Sequence, residues 1–335
     1  MSTAALPPLA DVLATARVVA LPLATRFRGV RTREAVVFEG PEGWTEFSPF
    51  VEYDDAEAAS WLAAALDFGW HPSPLPVRTS VPVNATVPAV AASDVDAVLS
   101  RFDGCRTAKV KVAEAGQVLA DDVARVRAVR AAMGPEGRIR IDANGGWNLD
   151  EAERAVHALA EFDLEYVEQP CTDVDELARL RERIGYLDIP IAADESVRKA
   201  ADPLRVARAG AADLLVVKAQ PLGGVRAALA IVAEAGLPAV VSSALDTSVG
   251  LSMGLALAAA LPELEYDCGL GTASLFTADV VAEPLRPRGG SLELSRPFPT
   301  TAELDRVAAP LDRRDWWLQR LTRCYRLREA SVTPG

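Results

Sequence analysis

Two residue types that often build functional sites are scarce in this sequence. Its 335 residues include only two histidines and four cysteines. The cysteines lie far apart and form no CxxC pair, which argues against a disulfide framework and is typical of reduced thiols in a cytoplasmic protein. His71 and His157 both lie outside the strand ends predicted below, and we expect both to be structural.

Long apolar runs and an excess of positive charge are also lacking. No uncharged apolar run reaches the roughly 18 residues typical of a transmembrane helix, and the N-terminus lacks the pattern of a secretory signal. Acidic residues outnumber basic ones by 47 to 35, for a formal charge of -12. Because an acidic protein binds the phosphate backbone poorly, nucleic acid is a poor partner. We expect a cytoplasmic protein that binds neither nucleic acid nor membrane.

From residue 81 onward, short β-branched runs alternate with amphipathic stretches rich in Ala, Leu and Arg. Successive runs start 24 to 31 residues apart, and they cover residues 81–87, 107–113, 138–144, 164–170, 189–195, 213–219, 238–244 and 264–269. Strands that alternate with helices at a near-constant interval predict right-handed βαβ units and a parallel sheet. Eight such units predict an α/β fold, a (β/α)8 barrel of the TIM type over residues 81–284. A doubly wound open sheet competes with this arrangement, but no GxGxxG turn follows the first run.

The two ends of the chain do not follow this repeat. Residues 16–50 alternate in the manner of antiparallel strands, and residues 54–70 have helical spacing with an acidic first turn. The tail carries Pro and Gly, followed by a helix-like segment over residues 312–330. We therefore expect residues 1–80 and 285–335 to form an α+β capping domain beside the barrel.

Ionisable residues stand at the carboxyl ends of consecutive predicted strands, where barrel enzymes place their chemistry. From strand two to strand six they are Lys109 and Lys111, Asp142, Glu168, Asp194, and Lys218. Any one of them could be a structural ion pair at a barrel rim. The whole series, however, repeats with the period of the fold, and buried charges are rare unless they are paired or bound to metal. The series therefore indicates a functional site.

This set of residues suits metal-assisted proton removal. Three carboxylates from adjacent strands can supply the oxygen ligands of a hard divalent cation, and the lack of a nearby histidine favours Mg²⁺, with Mn²⁺ as the alternative, over Zn²⁺. A lysine that is desolvated and close to a cation has a lowered pKa and can act as a base. The metal would stabilise the charge that develops as a proton leaves the carbon next to a carboxylate. We therefore expect a small-molecule carboxylate as the substrate.

Four further polar residues lie near these positions. Ser242 and Ser243, at the end of strand seven, could donate hydrogen bonds to a substrate carboxylate or could cap the following helix. Asn144 and Glu195 lie beside the predicted metal ligands, and we expect them to support those ligands from behind.

Five motifs on successive strands resemble those of the enolase superfamily, specifically its muconate-lactonizing subgroup. They are KVK (109–111), DAN (142–144), EQP (168–170), ADES (193–196) and VVKAQPLGG (216–224). The resemblance implies three metal ligands, two lysines on opposite faces of the substrate and a helper lysine near the substrate carboxylate. The implied metal ligands are Asp142, Glu168 and Asp194. The lysines on opposite faces are Lys111 and Lys218, and the helper lysine is Lys109. The mandelate racemase subgroup is excluded, because it uses a histidine at the end of strand seven, where this chain has VVSSALD (240–246).

Within the subgroup, residues 21–50 and 264–276 resemble the family of o-succinylbenzoate synthases of the actinobacterial type. These are carbon-oxygen lyases of menaquinone biosynthesis. The resemblance implies syn-elimination of water from 2-succinyl-6-hydroxy-2,4-cyclohexadiene-1-carboxylate through an enediolate. Lys111 would remove the α-proton and then protonate the departing hydroxyl, while Lys218 would stay protonated and stabilise the enediolate. Arg26 or Arg28, in a turn between two strands, is a hypothesis for contact with the succinyl carboxylate.

Other functions compete with this one. A dipeptide epimerase or an N-acylamino acid racemase would use the same metal and the same two lysines, each from one face. The dipeptide case would require an acidic pair on strand eight, and Glu265 and Asp267 stand there. A non-catalytic binding protein on a barrel scaffold is a third possibility, since fold does not dictate function. The intact ligand set and both lysines argue against it.

Overall fold

The computed structural model of the chain describes residues 6–198 and 202–332. Its strands are β1 (Arg17–Phe27), β2 (Val30–Gly40), β3 (Gly43–Phe47), β4 (Ser80–Pro82), β5 (Ala85–Val87), β6 (Thr107–Lys111), β7 (Arg138–Asp142), β8 (Leu164–Glu168), β9 (Ile191–Ala193), β10 (Leu214–Val217), β11 (Ala239–Val241) and β12 (Ser291–Glu293). Its α-helices are α1 (Leu9–Thr15), α2 (Asp55–Trp70), α3 (Val95–Leu99), α4 (Leu119–Met133), α5 (Leu149–Leu159), α6 (Val174–Ile184), α7 (Glu195–Arg198), α8 (Arg205–Arg208), α9 (Val225–Ala235), α10 (Ser248–Ala260), α11 (Thr301–Arg306) and α12 (Leu311–Val332). None of the helices in these two ranges is both long enough and apolar enough to cross a bilayer.

Seven strands form one parallel sheet in the consecutive order β11-β10-β9-β8-β7-β6-β5. Their side chains are almost all buried, as expected for parallel strands that are covered on both faces. The amphipathic helices between them pack their apolar side chains against the sheet, for example Val156 and Leu159 of α5. The predicted parallel βαβ arrangement is confirmed for these seven strands.

The first predicted strand, residues 81–87, is divided in two, so this prediction was wrong in its bounds. The second half, β5, joins the parallel sheet, whereas β4 pairs antiparallel with β12. Pro82 lies at the division and has no backbone N–H to donate to a neighbouring strand.

Within the described ranges, residues 264–269 do not form the eighth strand that the sequence predicts. Only the last two of these residues make parallel bridges, Cys268 to Val83 and Gly269 to Ser242. The N–H of Gly269 donates to the carbonyl of Val241 at 2.8 Å. The preceding residues carry Glu265 and the partly exposed Asp267, whose charges interrupt the apolar pattern of the other strands.

The N-terminal residues form an antiparallel sheet in the order β1-β2-β3. Helix α2 begins after Asp54, whose side chain accepts a hydrogen bond from the N–H of Glu57. Helices α2 and α12 share one apolar cluster with this sheet, in which the rings of Phe47 and Trp317 meet edge to face, with their centroids 6.0 Å apart. The predicted helices at 54–70 and 312–330 are thus confirmed as α2 and α12.

Candidate active site

Strand register brings the predicted site residues together. Lys111 of β6 pairs with Asp142 of β7, which pairs with Glu168 of β8. Asp194 directly follows β9, and Lys218 directly follows β10. All five therefore lie at the carboxyl ends of neighbouring parallel strands, and each side chain is buried.

The backbone turns sharply just beyond these positions. Ala113, Asn144 and Gln169 follow the site residues of β6, β7 and β8, and each has a positive φ between 40° and 58°. Asparagine tolerates this left-handed conformation better than most residues, whereas alanine and glutamine are strained in it. Such strain is often found at functional sites.

Lysine ammonium groups lie between the acidic side chains. The Nζ of Lys109 is 2.8 Å from both Oδ2 of Asp142 and Oε1 of Glu168. The Nζ of Lys111 is 2.5 Å from the same oxygen of Asp142. The Nζ of Lys218 is 2.5 Å from Oδ1 of Asp194. The three carboxylates are thus matched by three lysines.

The pKa directions separate Lys109 from the other two lysines. Burial lowers the pKa of Lys111, and the nearby charge of Lys109 lowers it further. The pKa of Lys218 is also lowered, by burial and by the charge of Arg198. Burial acts on Lys109 too, but Asp142 and Glu168 outweigh it, so its pKa lies well above the ordinary value. Lys109 is therefore a fixed cation, whereas Lys111 and Lys218 are the better candidates for proton transfer.

The acidic residues fit a hard divalent cation in donor type and in charge. Burial and the neighbouring charge of Asp142 raise the pKa of Glu168 to about 7, and Asp194 adds to this repulsion. A divalent cation would relieve that repulsion, and carboxylate oxygens are the ligands that Mg²⁺ prefers. Among residues 6–198 and 202–332, no group of three or more His, Cys, Asp or Glu side chains is arranged so that it could hold a metal ion. For the carboxylates to reach a common cation, Lys109 would have to move out from between Asp142 and Glu168.

Asn144 lies at the wall of the site, and Glu195 contacts it from the start of helix α7. The Oδ1 of Asn144 accepts a hydrogen bond from Lys111 at 2.6 Å, and its Nδ2 donates to Oε1 of Glu195 at 3.2 Å. The N–H of Asn144 also donates to Oδ1 of Asp142 at 3.0 Å. Asn144 therefore contacts Lys111 and Asp142 directly, whereas Glu195 is linked to them through Asn144. That the two residues support the metal ligands stays a prediction.

Sequence reasoning missed two further residues, Gln169 and Arg198. The Oε1 of Gln169 accepts hydrogen bonds from the N–H groups of Asp194 and Ser196, at 2.9 and 3.1 Å. Arg198 donates from Nε to Oδ1 of Asp194 at 3.0 Å. Both lie inside or next to the EQP and ADES motifs, and their position beside two predicted ligands was the signal that could have found them.

Ser242 and Ser243 lie beside the lysines, but not as helix caps. Helix α10 is capped by Thr247, whose side chain accepts from the N–H of Val249. The capping alternative for the two serines is therefore wrong. Both serines line the cavity beside the lysines, and the Oγ of Ser243 also donates to the carbonyl of Gly269 at 2.8 Å.

Two adjoining cavities open onto this site. The inner one, about 30 Å³, is lined by Lys109, Lys111, Lys218 and both serines. The outer one, about 400 Å³, shares Lys111 with it and continues past Arg28. A wider cavity of about 720 Å³ lies elsewhere, between α9 and the end of α10, and contains none of the strand-end charges. The chemistry therefore belongs to the two adjoining cavities.

Several other ionisable residues point away from these cavities. Asp267 accepts hydrogen bonds from Thr107 at 2.6 Å and Arg138 at 2.7 Å, both at the starts of their strands. It therefore lies at the opposite end of the sheet from the lysines. His157 contacts Tyr186 on the surface, and His71 lies near Asp67.

Comparison with known proteins identifies the family. The enolase C-terminal domain-like model matches residues 93–299, and the enolase N-terminal domain-like model matches residues 18–69. An o-succinylbenzoate synthase from Mycolicibacterium smegmatis is 55% identical over 97% of this chain and 99% of its own length. The chain belongs to the enolase superfamily. The resemblance noted from the five motifs is thereby confirmed.

A second curated relative and two solved structures are also similar to this chain. An o-succinylbenzoate synthase from Mycobacterium ulcerans is 54% identical over 95% of this chain and 96% of its own length. The muconate lactonizing enzyme from Pseudomonas putida superposes with a TM-score of 0.72 at 20% identity, covering 88% of this chain and 98% of that one. The L-Ala-D/L-Glu epimerase from Bacillus subtilis superposes with a TM-score of 0.70 at 21% identity, covering 85% and 96% of the two chains. At these identities, the two solved structures show a shared fold.

Proposed function

We propose that the chain is an o-succinylbenzoate synthase, a hydro-lyase that removes water from 2-succinyl-6-hydroxy-2,4-cyclohexadiene-1-carboxylate. The observation that carries this proposal is 55% identity to a synthase over nearly the full length of both chains. The buried lysines and carboxylates at one end of the sheet support it chemically, because they are the groups that proton abstraction beside a carboxylate requires.

Asp142, Glu168 and Asp194 would hold the divalent metal ion on which enzymes of this superfamily depend, most often Mg²⁺, with Mn²⁺ as the alternative. When bound, the ion supplies positive charge where negative charge develops on the substrate carboxylate. Lys109 lies between two of these acids and would remain a cation near that carboxylate.

The two remaining lysines would divide the proton chemistry. Lys111, with its lowered pKa, would take the α-proton and return it to the departing hydroxyl on the same face. Lys218 would stay protonated and stabilise the enediolate from the other face. Asn144 would hold the Nζ of Lys111 in place through the 2.6 Å hydrogen bond.

The size of the cavities indicates where the substrate would lie. The inner cavity, about 30 Å³, has room for no more than a few water molecules, whereas the adjoining 400 Å³ is within the usual range for a small ligand. The reacting ring would therefore face Lys111, and the succinyl group would extend into the outer cavity. Ser242, on the wall of the inner cavity, would donate a hydrogen bond to a substrate oxygen, and Ser243 would do so if it left the Gly269 carbonyl.

We infer that the parallel sheet closes into a (β/α)8 barrel through residues 264–269. The bridges of Cys268 to Val83 and of Gly269 to Ser242 support this inference, because they link that segment to both edges of the seven-stranded sheet. Residues 81–284 would then be the catalytic domain, and residues 1–80 with 285–335 the capping domain.

The proposed function is tested by assay with and without metal. We expect the purified protein to convert the cyclohexadiene carboxylate to o-succinylbenzoate when Mg²⁺ is present, and to lose this activity in EDTA. Added Mg²⁺ should then restore the rate. Product can be followed by its ultraviolet absorbance. A folded protein that forms no product at any Mg²⁺ concentration would contradict the proposal.

Arg28 is expected to bind the succinyl carboxylate. It lines both cavities, whereas Arg26 lines only the outer one, and its guanidinium lies 4.3 Å from the centre of the Phe50 ring. Losing a hydrogen bond to a charged group should raise KM about 10-fold or more in the Arg28→Ala variant, with a smaller change in kcat. Steady-state kinetics measures both constants.

The exposed Arg31, two residues beyond the turn, provides the matched control, and Arg31→Ala should behave as wild type. An Arg28→Ala protein with unchanged kcat/KM, beside an Arg26→Ala protein with a raised KM, would assign the contact to Arg26 instead.

A racemase or epimerase activity would use the same lysines. The position of Asp267 counts against the dipeptide epimerase, because that acid is held at the other end of the sheet by Thr107 and Arg138. The identity to synthases favours elimination over racemisation.

A further inference from the structure

Arg198 is a buried cation with three different partners. It ends helix α7, and its side chain is 2% exposed. The Nε donates to Oδ1 of Asp194 at 3.0 Å, and Nη2 donates to Oε1 of Glu195 at 2.5 Å. The remaining nitrogen, Nη1, donates to the hydroxyl of Tyr53 at 3.0 Å.

Two chains of polar contacts run from this guanidinium to the two lysines. The shorter one passes through Asp194, whose Oδ1 is also 2.5 Å from the Nζ of Lys218. The longer one passes through Glu195 and Asn144 to Lys111, over contacts of 3.2 and 2.6 Å. Arg198 therefore contacts Asp194, which is the partner of Lys218. It also contacts Glu195, the first member of the series of contacts that ends at Lys111.

We propose that Arg198 is a positioning residue for the elimination. It fixes the positions of Lys111 and Lys218 relative to each other. This inference rests on the proposed function and adds to it a residue that contacts neither lysine. Arg198 acts through Asp194 on one side and through Glu195 and Asn144 on the other.

The chemistry of arginine suits this role. Lysine side chains are flexible, so the position of each ammonium is set by the groups that accept its hydrogen bonds. A guanidinium is planar and always charged, and its donors diverge in a fixed fork. Arg198 can therefore hold two carboxylates at a fixed separation, which a lysine in its place would do less well.

The third contact connects the guanidinium of Arg198 to the N-terminal part of the chain. Tyr53 lies between β3 and α2 and is itself buried. Its carbonyl accepts a hydrogen bond from Nη2 of Arg320 in α12 at 2.5 Å. Arg198 is thus anchored to a segment outside the parallel sheet, where α2 and α12 pack together.

The test compares steady-state kinetics of Arg198→Met, Arg198→Lys and wild type at saturating Mg²⁺. Because a displacement of about 1 Å can cost about 100-fold in rate, we expect kcat of Arg198→Met to fall about 10- to 100-fold, with KM changed less than about threefold. Arg198→Lys should recover part of that loss. Arg208→Met is the matched control, because Arg208 makes an exposed ion pair with Asp202, and it should keep the wild-type kcat.

A second readout does not depend on activity. In a crystal structure of the metal-free Arg198→Met protein, we expect Asp194 or Glu195 to have turned away from the Lys218 or Asn144 contact. Wild-type positions for both acids together with a wild-type kcat would overturn the inference. If Arg198→Met does not fold, Arg198→Lys decides, and an unchanged kcat in that variant would overturn the inference. An inactive wild-type protein would instead contradict the proposed function itself.

Discussion

Replacing Lys111 with arginine should lower kcat/KM about 1,000-fold or more, because a positioned general base contributes about 10²- to 10⁴-fold to such a rate. Arginine keeps the positive charge of Lys111 but stays protonated at all relevant pH values, so it cannot take the α-proton. Lys218→Arg is the matched variant. If Lys218 acts only as a cation, that protein should keep measurable activity. Product formation under saturating Mg²⁺ gives both values.

The same pair of variants separates elimination from racemisation. A reaction that moves a proton between two faces needs both lysines as acid and base, so both arginine variants would then be equally inactive. A two-base enzyme would be indicated if both variants lost the same fraction of kcat/KM. In that case each variant should still catalyse exchange of the α-proton with D₂O on one face of the substrate. A Lys111→Arg protein with near wild-type kcat/KM would remove Lys111 from the role of base.

Replacing Glu168 with glutamine should also have a large effect. The amide keeps the shape of the side chain but removes one charge from the three acids that would hold the metal. We expect kcat/KM to fall about 100-fold or more and Mg²⁺ binding to weaken at least about 10-fold, because changing even an outer partner of a metal ligand costs about 10- to 100-fold in affinity or activity. Titration calorimetry measures the affinity, and rates across Mg²⁺ concentrations measure the activity.

Glu161→Gln is the control for this experiment, since Glu161 forms an exposed surface pair with Arg127. It should bind Mg²⁺ and react as wild type does. If the Glu168→Gln protein keeps the wild-type Mg²⁺ affinity, the cation is held by residues other than Glu168.

The strand repeat and the charges at its ends could be predicted from sequence for one physical reason. Parallel strands that are buried on both faces are almost wholly apolar, so a lysine or an acid within one stands out. Because side chains alternate along a strand, Lys109 and Lys111 had to share a face. The structure places both beside Asp142, at the end of the sheet where the sequence predicted a functional site.

Contacts between distant segments were not accessible in this way. Arg198 stands two residues beyond the ADES motif, but its contact with Tyr53, 145 positions away in sequence, could not be inferred from that position. Asp267 had the right strand and spacing for an acidic pair, but its direction depends on Thr107 and Arg138. The direction in which such a side chain points depends on packing between distant segments, and a local sequence pattern contains no information about that packing.

The pairing of three acids with three lysines has an electrostatic consequence. With the ammonium groups of Lys109, Lys111 and Lys218 facing Asp142, Glu168 and Asp194, the bare rim carries no formal net charge. When Lys111 is unprotonated, as a base must be, the rim carries one negative charge. A divalent cation alone would change this to one surplus positive charge, and the ring carboxylate of the substrate alone would raise it to two negative charges. Since uncompensated charge is costly in a buried site, the two ligands together restore neutrality, and each should favour the arrival of the other.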